Sequence, residues 1–230
     1  MKKQDLFITL GVVLFFAPFF IFKDVYHYYE EINQQLPLIM AFFKFAILAT
    51  FGEMLGLRIR TGKYTIPHFG ILPRAVVWGF LGMWIAFAMG VFRNGVPAYL
   101  DRFQLFNGIN AAMTGNFSLL KLYGAFCISV MMNTTFAPVF MTLHKITDTH
   151  IMQTGGTLKG FFCTKIHFAQ IISSFNWKVQ WSFVFKKTIP LFWIPAHTIT
   201  FILPQNYQVL FAAFLGICLG VILSIAARKQ

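Results

Sequence analysis

Apolar residues run almost without interruption along much of this chain, where a soluble protein would alternate them with polar ones. The stretches at residues 6–22, 37–57, 73–92, 122–143 and 207–227 are each about as long as a helix must be to cross the ~30 Å hydrocarbon core of a bilayer. A weaker stretch at residues 188–203 is short and holds Pro190 and Pro195. Residues 155–175 are too polar to cross. There Leu158, Phe161, Phe162, Ile166, Ala169 and Ile172 share one helical face, and Thr164, His167, Gln170 and Ser174 another, with Lys165 slightly out of phase. That pattern predicts an amphipathic helix lying in the cytoplasmic interface. The expected fold is all-α: a polytopic transmembrane helical bundle of about six spans plus the interfacial helix. Residues 1–230 form one membrane domain, with 6–22 as an N-terminal anchor span and 37–227 as the bundle.

Composition sharpens this. Apolar residues make up 57% of the chain and charged residues only 11%, against ~25% charged in soluble domains, which sets the soluble enzyme folds aside. Basic residues gather in cytoplasmic loops, and six spans place 14 of the 19 Lys and Arg residues inside, with Lys23, Arg93, Arg102 and Lys121 outside and Lys44 within a span. An odd number of spans would put Arg228 and Lys229 outside, so both termini are expected in the cytoplasm. The N-terminal run starts like a signal peptide, yet Phe19, Phe20, Ile21, Phe22 and Lys23 are bulky or charged, which predicts a retained anchor. Residues 1–5 do not resemble an Arg-rich transit peptide. The expected location is a bacterial plasma membrane, with an organelle membrane as the alternative.

The net charge of +12 does not predict nucleic-acid binding, because no basic run is interleaved with aromatics on a soluble module. It fits orientation and contact with anionic lipid heads. Cys127, Cys163 and Cys218 show no paired spacing, so no disulfide is expected, and Cys127 and Cys218 read as small packing residues. Trp177, Trp181 and Trp193 read as headgroup-level anchors. Ala212, Gly216, Gly220 and Ser224 recur every four residues, and Ala75, Gly79, Gly82, Ala86 and Gly90 form a similar stripe. Such stripes let helices approach closely where lipid removes any hydrophobic drive. Contacts within the bundle are the first reading; a homodimer seam or a membrane partner is the second.

Ionisable groups inside a span cost ~2.5–3.5 kcal/mol each, so each needs an explanation. Glu53 lies level with Arg74, which opens the next span; an ion pair between them, or a site for proton coupling or cation attraction, accounts for it. Lys44 lies nine residues earlier, half a helical turn out of phase with Glu53 and ~10 Å from the outer end of its helix. It either snorkels outward or lines a path that favours anions, facing a cavity shared with His197, Thr198 and Thr200. Asn133, Thr134 and Thr135 fall near mid-membrane, and Pro138 cannot donate to the Thr134 carbonyl. That predicts a kink, either healed by a neighbour or part of a permeation site. No metal-ligand spacing links the histidines, acids are too few for a catalytic pair, and Gly155-Gly156 reads as a hinge before it reads as a phosphate cradle. No enzyme activity and no cofactor are expected.

Two motifs carry a resemblance. The run Met132-Asn133-Thr134-Thr135-Phe136-Ala137-Pro138-Val139-Phe140, and near the C-terminus Trp193, Pro195, His197, Thr200, Phe201, Leu203, Pro204, Tyr207, Val209, Leu210 and Phe211, resemble the Mpv-seventeen / twenty-two-kilodalton peroxisomal membrane protein family. Gly52-Glu53 and Arg74 are similar to that family's Gly-Asp and Arg. The likeness spans residues 42–224 and is distinctive in the C-terminal forty. The chain departs where the family's Asp and Gln become Met132 and Asn133, its Gln and Asn become His197 and Thr200, and its Arg becomes Gln208. The resemblance implies a small helical membrane protein with channel-like or metabolite-passage behaviour. The expected function is passage of a small solute along Lys44, Glu53, Asn133, Thr134, Pro138, His197, Thr198 and Thr200; the alternative is a non-transporting partner subunit or assembly factor.

Overall fold

A computed structural model describes residues 3–227 of the chain. Lys2, Arg228 and Lys229, on which the expected orientation partly rests, lie outside the described residues. The order is α1 (Lys3–Ile21), α2 (Lys23–Gln35), α3 (Pro37–Thr61), α4 (Ile71–Leu100), a 3-10 turn, α5 (Ile109–Ala112), α6 (Leu119–Thr135), α7 (Ala137–Gln153), α8 (Leu158–Cys163), α9 (Phe168–Ser173), α10 (Trp177–Val179), a π-helix (Gln180–Trp193), α11 (Ile194–Ile202) and α12 (Gln205–Ala227). Among the described residues there is no strand. Four helices, α1, α3, α4 and the start of α12, are long and apolar enough to cross a membrane, and the α6–α7 pair makes a fifth if its 46° bend is spanned as one.

Local chemistry sets the ends. Pro37 opens α3, where its missing N–H is no loss, and Gly62 closes it at φ 78°. Ser118 caps α6 by accepting from the Lys121 N–H. The α6–α7 bend falls at Phe136, with Pro138 in the first turn of α7, because proline removes the bond its predecessor helix needs.

α3 is the central helix, packed against α4 on one side and α12 on the other. Small residues make this approach feasible. A Cβ on Gly79 would meet the Phe42 ring at 2.4 Å, one on Gly82 would meet Phe45 Cβ at 2.4 Å, and one on Gly56 would meet Ser224 Oγ at 3.0 Å. Gly220 faces the Gly52 carbonyl of α3. Gly90 and Gly216 have open space instead. The core gathers Phe45, Leu48, Met89, Ile128, Met132 and Phe201 from α3, α4, α6 and α11. α1 buries no residue and is tied at its start by a two-pronged ion pair from Arg58 to Asp5, both bonds at 2.8 Å.

Several sequence expectations change. The interfacial helix over residues 155–175 is instead α8 and α9, separated at Thr164, which is extended (φ −106°, ψ 133°). Ile171, outside the expected apolar face, is the buried residue of α9. Gly155 and Gly156 both have positive φ, and a Cβ on Gly156 would meet the His68 carbonyl at 2.7 Å. Gly156 serves a close crossing of two loops while Gly155 has open space, and the six-residue α8 is too short to hold a phosphate. The short stretch at 188–203 belongs to a longer continuous helix: the 14-residue π segment runs directly into the nine-residue α11. Wide winding accommodates Pro190, since the π pattern already displaces the bonds that a proline breaks. Cys218 is exposed rather than packed, facing outward from α12.

Replacing Gly82 by Leu should destabilise the protein by about 1–3 kcal/mol through overpacking against Phe45, whereas Gly90→Ala, with open space, should stay within about 0.5 kcal/mol. Unfolding of the purified protein in detergent measures both.

Candidate functional site

The polar residues singled out from the sequence do not line one path. They separate into a cluster at the Thr61 end of α3, a mid-bundle pair and a group at the Pro37 end of α3, named inner and outer after the orientation expected from the sequence.

The inner cluster is built by α3, α4 and α7. Arg74, buried at 5% side-chain exposure, donates through Nη1 to Glu53 Oε2 and to Asp148 Oδ1, the latter at 2.6 Å. Its Nε donates to the Phe69 carbonyl at 2.7 Å, and its guanidinium lies 4.4 Å from the Phe69 ring centre. Glu53 Oε1 accepts from Trp78 Nε1 at 3.0 Å and lies 3.1 Å from His144 Nε2. His144 Nε2 is also 3.5 Å from Asp148 Oδ1, and its ring centre is 4.3 Å from that of Trp78. One guanidinium, two carboxylates and one imidazole thus share a single half-buried knot.

His144 and Asp148 did not figure in the expected path. The apolar run stops at Leu143, so both residues read as cytoplasmic loop, yet α7 continues to Gln153 and turns them inward one helical turn apart. Their spacing of four on a helix that follows an apolar run was the available signal. Acids do form a pair, Glu53 with Asp148 around Arg74, and a histidine does join them, because the partners come from helices distant in sequence. Glu53, His144 and Asp148 offer ligand atoms all within 4.8 Å of one another, a spacing that could hold a metal ion. Arg74 already provides the positive charge at both carboxylates, so a divalent ion would have to displace a buried guanidinium. The donor set therefore fits the arginine better than a metal.

The mid-bundle pair joins α6 to α11. Asn133, 1% exposed, donates through Nδ2 to the Ser129 carbonyl at 2.8 Å and faces His197 Nδ1 at 3.1 Å. His197 stacks on Trp193 with ring centres 5.2 Å apart. Trp193 Nε1 is buried without a partner, so this tryptophan faces into the bundle rather than anchoring at headgroup level. Thr198 and Thr200 bond back to the Ile194 and Ala196 carbonyls. Thr134 and Thr135 are exposed and bond back along their own helix, to the Val130 and Met131 carbonyls. Pro138 sits at the bend.

The outer group lies where α2 ends, α3 and α12 begin and α4 nears its end. Lys44, 8% exposed, points back toward the start of α3, where Nζ donates to Asn33 Oδ1 and lies 5.2 Å from the Tyr29 ring centre. An open cavity of about 340 Å³ adjoins it, lined in part by Asn33, Gln34, Arg93, Gln205, Asn206 and Gln208. Beside it the Tyr26 hydroxyl shares a 3.0 Å hydrogen bond with Tyr207. That bond first, and burial second, hold the Tyr26 hydroxyl well above the ordinary phenol range. A second cavity, against Leu119, Leu122, Tyr123, Phe126 and Thr198, is apolar. Neither Lys44 nor His197 lines either cavity.

Arg74→Gln leaves two carboxylates without their cation, which should cost about 3–5 kcal/mol, and more than Glu53→Gln, after which Arg74 retains Asp148. In the mid-bundle pair, Asn133→Ala should cost about 1–2 kcal/mol and Thr134→Ala less than about 0.5 kcal/mol. Denaturant unfolding in detergent ranks all four.

The chain was compared with protein-family models, curated proteins and solved structures, and none of them matches.

Proposed function

We propose that this protein passes a small solute across a membrane, and that the Glu53–Arg74–His144–Asp148 cluster closes the inner end of the path under the control of a proton. In this reading α1, α3, α4, the bent α6–α7 pair, residues 180–202 and α12 make six crossings of a bacterial plasma membrane with both termini in the cytoplasm. The likeness of residues 42–224 to the Mpv-seventeen / twenty-two-kilodalton peroxisomal membrane protein family belongs to the same proposal, as a divergent relative.

The charge of the inner cluster carries the reading. Arg74 contributes one positive charge and Glu53 with Asp148 two negative ones, so the knot is neutral only when one further proton sits on it, with His144 in contact with both acids. Uncompensated charge away from water is costly. With the proton bound, α3, α4 and α7 are held together; without it, excess negative charge between α3 and α7 favours their separation. The polar groups do not connect end to end in this structure, and parting of the inner knot is the opening step.

A second reading, a partner subunit that docks through the groove at Gly216 and Gly220, draws on the open space at Gly216. Gly220, however, already faces α3, which leaves only part of that groove available.

Unitary currents in planar bilayers test the proposal. Currents absent from protein-free bilayers should rise as cytoplasmic pH climbs and the knot gives up its proton. His144→Gln should flatten that dependence at the high level, and Glu53→Gln, neutral without a proton, should hold the path closed. Silence from folded, inserted protein removes passage, and a stoichiometric membrane partner recovered in mild detergent would then favour the second reading.

A further inference from the structure

The outer cavity is unusual in its charge. Asn33 and Gln34 from the end of α2, Arg93 from α4, and Gln205, Asn206 and Gln208 from the first turn of α12 bring one cation and five amide side chains to a space of about 340 Å³. No acidic residue lines it. Behind Asn33 stands the Lys44 ammonium, held by the Asn33 side-chain oxygen. Among the described residues, neither Arg93 nor Lys44 is in an ion pair. The two acids nearest in sequence on α2 are already engaged, Glu30 by the Tyr26 hydroxyl and Glu31 by Gln35.

Buried charge is normally paired, yet Lys44 is 8% exposed and relies on an amide and the face of Tyr29. Arg93 lines the cavity and Lys44 stands one side chain behind it, at Asn33; two cations without a counter-charge at one cavity call for an anion. An arginine fork matches the paired oxygens of a carboxylate or phosphate, and a side-chain amide adds a donor where its NH2 end turns toward the anion, although Gln208 already spends Nε2 on the Leu203 carbonyl. The volume falls at the small end of ligand cavities, ~300–1,000 Å³, which suits a compact oxyanion.

We infer that this cavity is a binding site for a small oxyanion, a phosphate or carboxylate group, gripped by Arg93 with Lys44 as the second, deeper charge. The site rests on the passage reading only for its purpose, since it would select the solute at the outer mouth. A free anion and the phosphate of a lipid headgroup share this chemistry.

Binding is measured without transport, on the full chain purified in a phosphate-free maltoside detergent. One arm titrates inorganic phosphate against chloride at matched ionic strength. The other adds short-chain phosphatidylglycerol. Thermal unfolding is the readout, because a ligand that binds the native state raises the transition as its concentration exceeds Kd. A saturable rise with either probe is expected in the parent protein. It should weaken at least tenfold in apparent affinity in Arg93→Gln, and measurably in Lys44→Met, while Ser173→Ala, exposed on α9 and away from the cavity, serves as a folded control. Phosphate alone active assigns a solute site; lipid alone active assigns a headgroup site. No saturable rise with either probe, or an unchanged response in a folded Arg93→Gln variant, overturns the inference. Arg93-dependent binding with silent bilayers keeps the site and removes passage. Currents without Arg93-dependent binding do the reverse.

Discussion

Everything at the inner end of this molecule depends on one buried guanidinium. Arg74 is the point at which α3, α4 and α7 meet, through Glu53, through its own helix and through Asp148. An arginine suits the position better than a lysine, because its planar fork serves several acceptors at once and it is more weakly hydrated. It does so here with Nη1 shared by two carboxylates while Nε takes the Phe69 carbonyl. That last bond fixes the loop before α4, where Gly70 at φ 68° crosses against Gly156. The cation therefore ties together three helices and the loop before α4. Removing it would leave two acids facing each other where water is scarce, which is why the knot behaves as a unit.

The upper part of the bundle is held by different means. There the contact between α3 and α4 rests on aromatic rings seated against glycine: Phe42 on Gly79 and Phe45 on Gly82. In a bilayer such contacts gain from close approach rather than from escaping water. One helix thus joins two regimes, glycine contacts along most of its length and an ionic knot near its inner end. A change in the knot can alter the inner spacing of helices while the glycine contacts keep the outer part in place.

How much of this could be read from the residues alone varied with the range of the interactions. Apolar run length gave the long helices, since the period of burial is a local property, and Glu53 and Arg74 stood out because charge in such a run is costly. What escaped were partnerships between remote segments. His144 and Asp148 lie beyond the end of the continuous apolar run at Leu143, and the bend at Phe136 and the continuation of α7 bring them to Glu53. The amphipathic face expected over residues 155–175 failed for the opposite reason: a helical period was present, but Thr164 is extended and the chain breaks there. The π winding of Gln180–Trp193 has no local signature beyond Pro190. Lys44 and His197, whose depths suggested a common cavity, were captured by separate amides, Asn33 and Asn133; depth along a helix does not fix azimuth.

The two ends of the bundle carry opposite electrostatic problems. At the inner end, two acids exceed one permanent cation, and a proton on the knot restores neutrality. At the outer end, two cations, Lys44 and Arg93, have no acid in ion-pair contact among the described residues, and an anion restores neutrality. Each imbalance is an affinity for something the protein does not itself supply. Because α3 carries Lys44 at one level and Glu53 nine residues further in, the two sites sit on one rigid element but face different neighbours. An anion drawn to the outer cavity and a proton drawn to the inner knot would therefore bias the same helix from opposite ends, and coupling between them needs no contact between the ligands, only a difference in how each stabilises the position of α3.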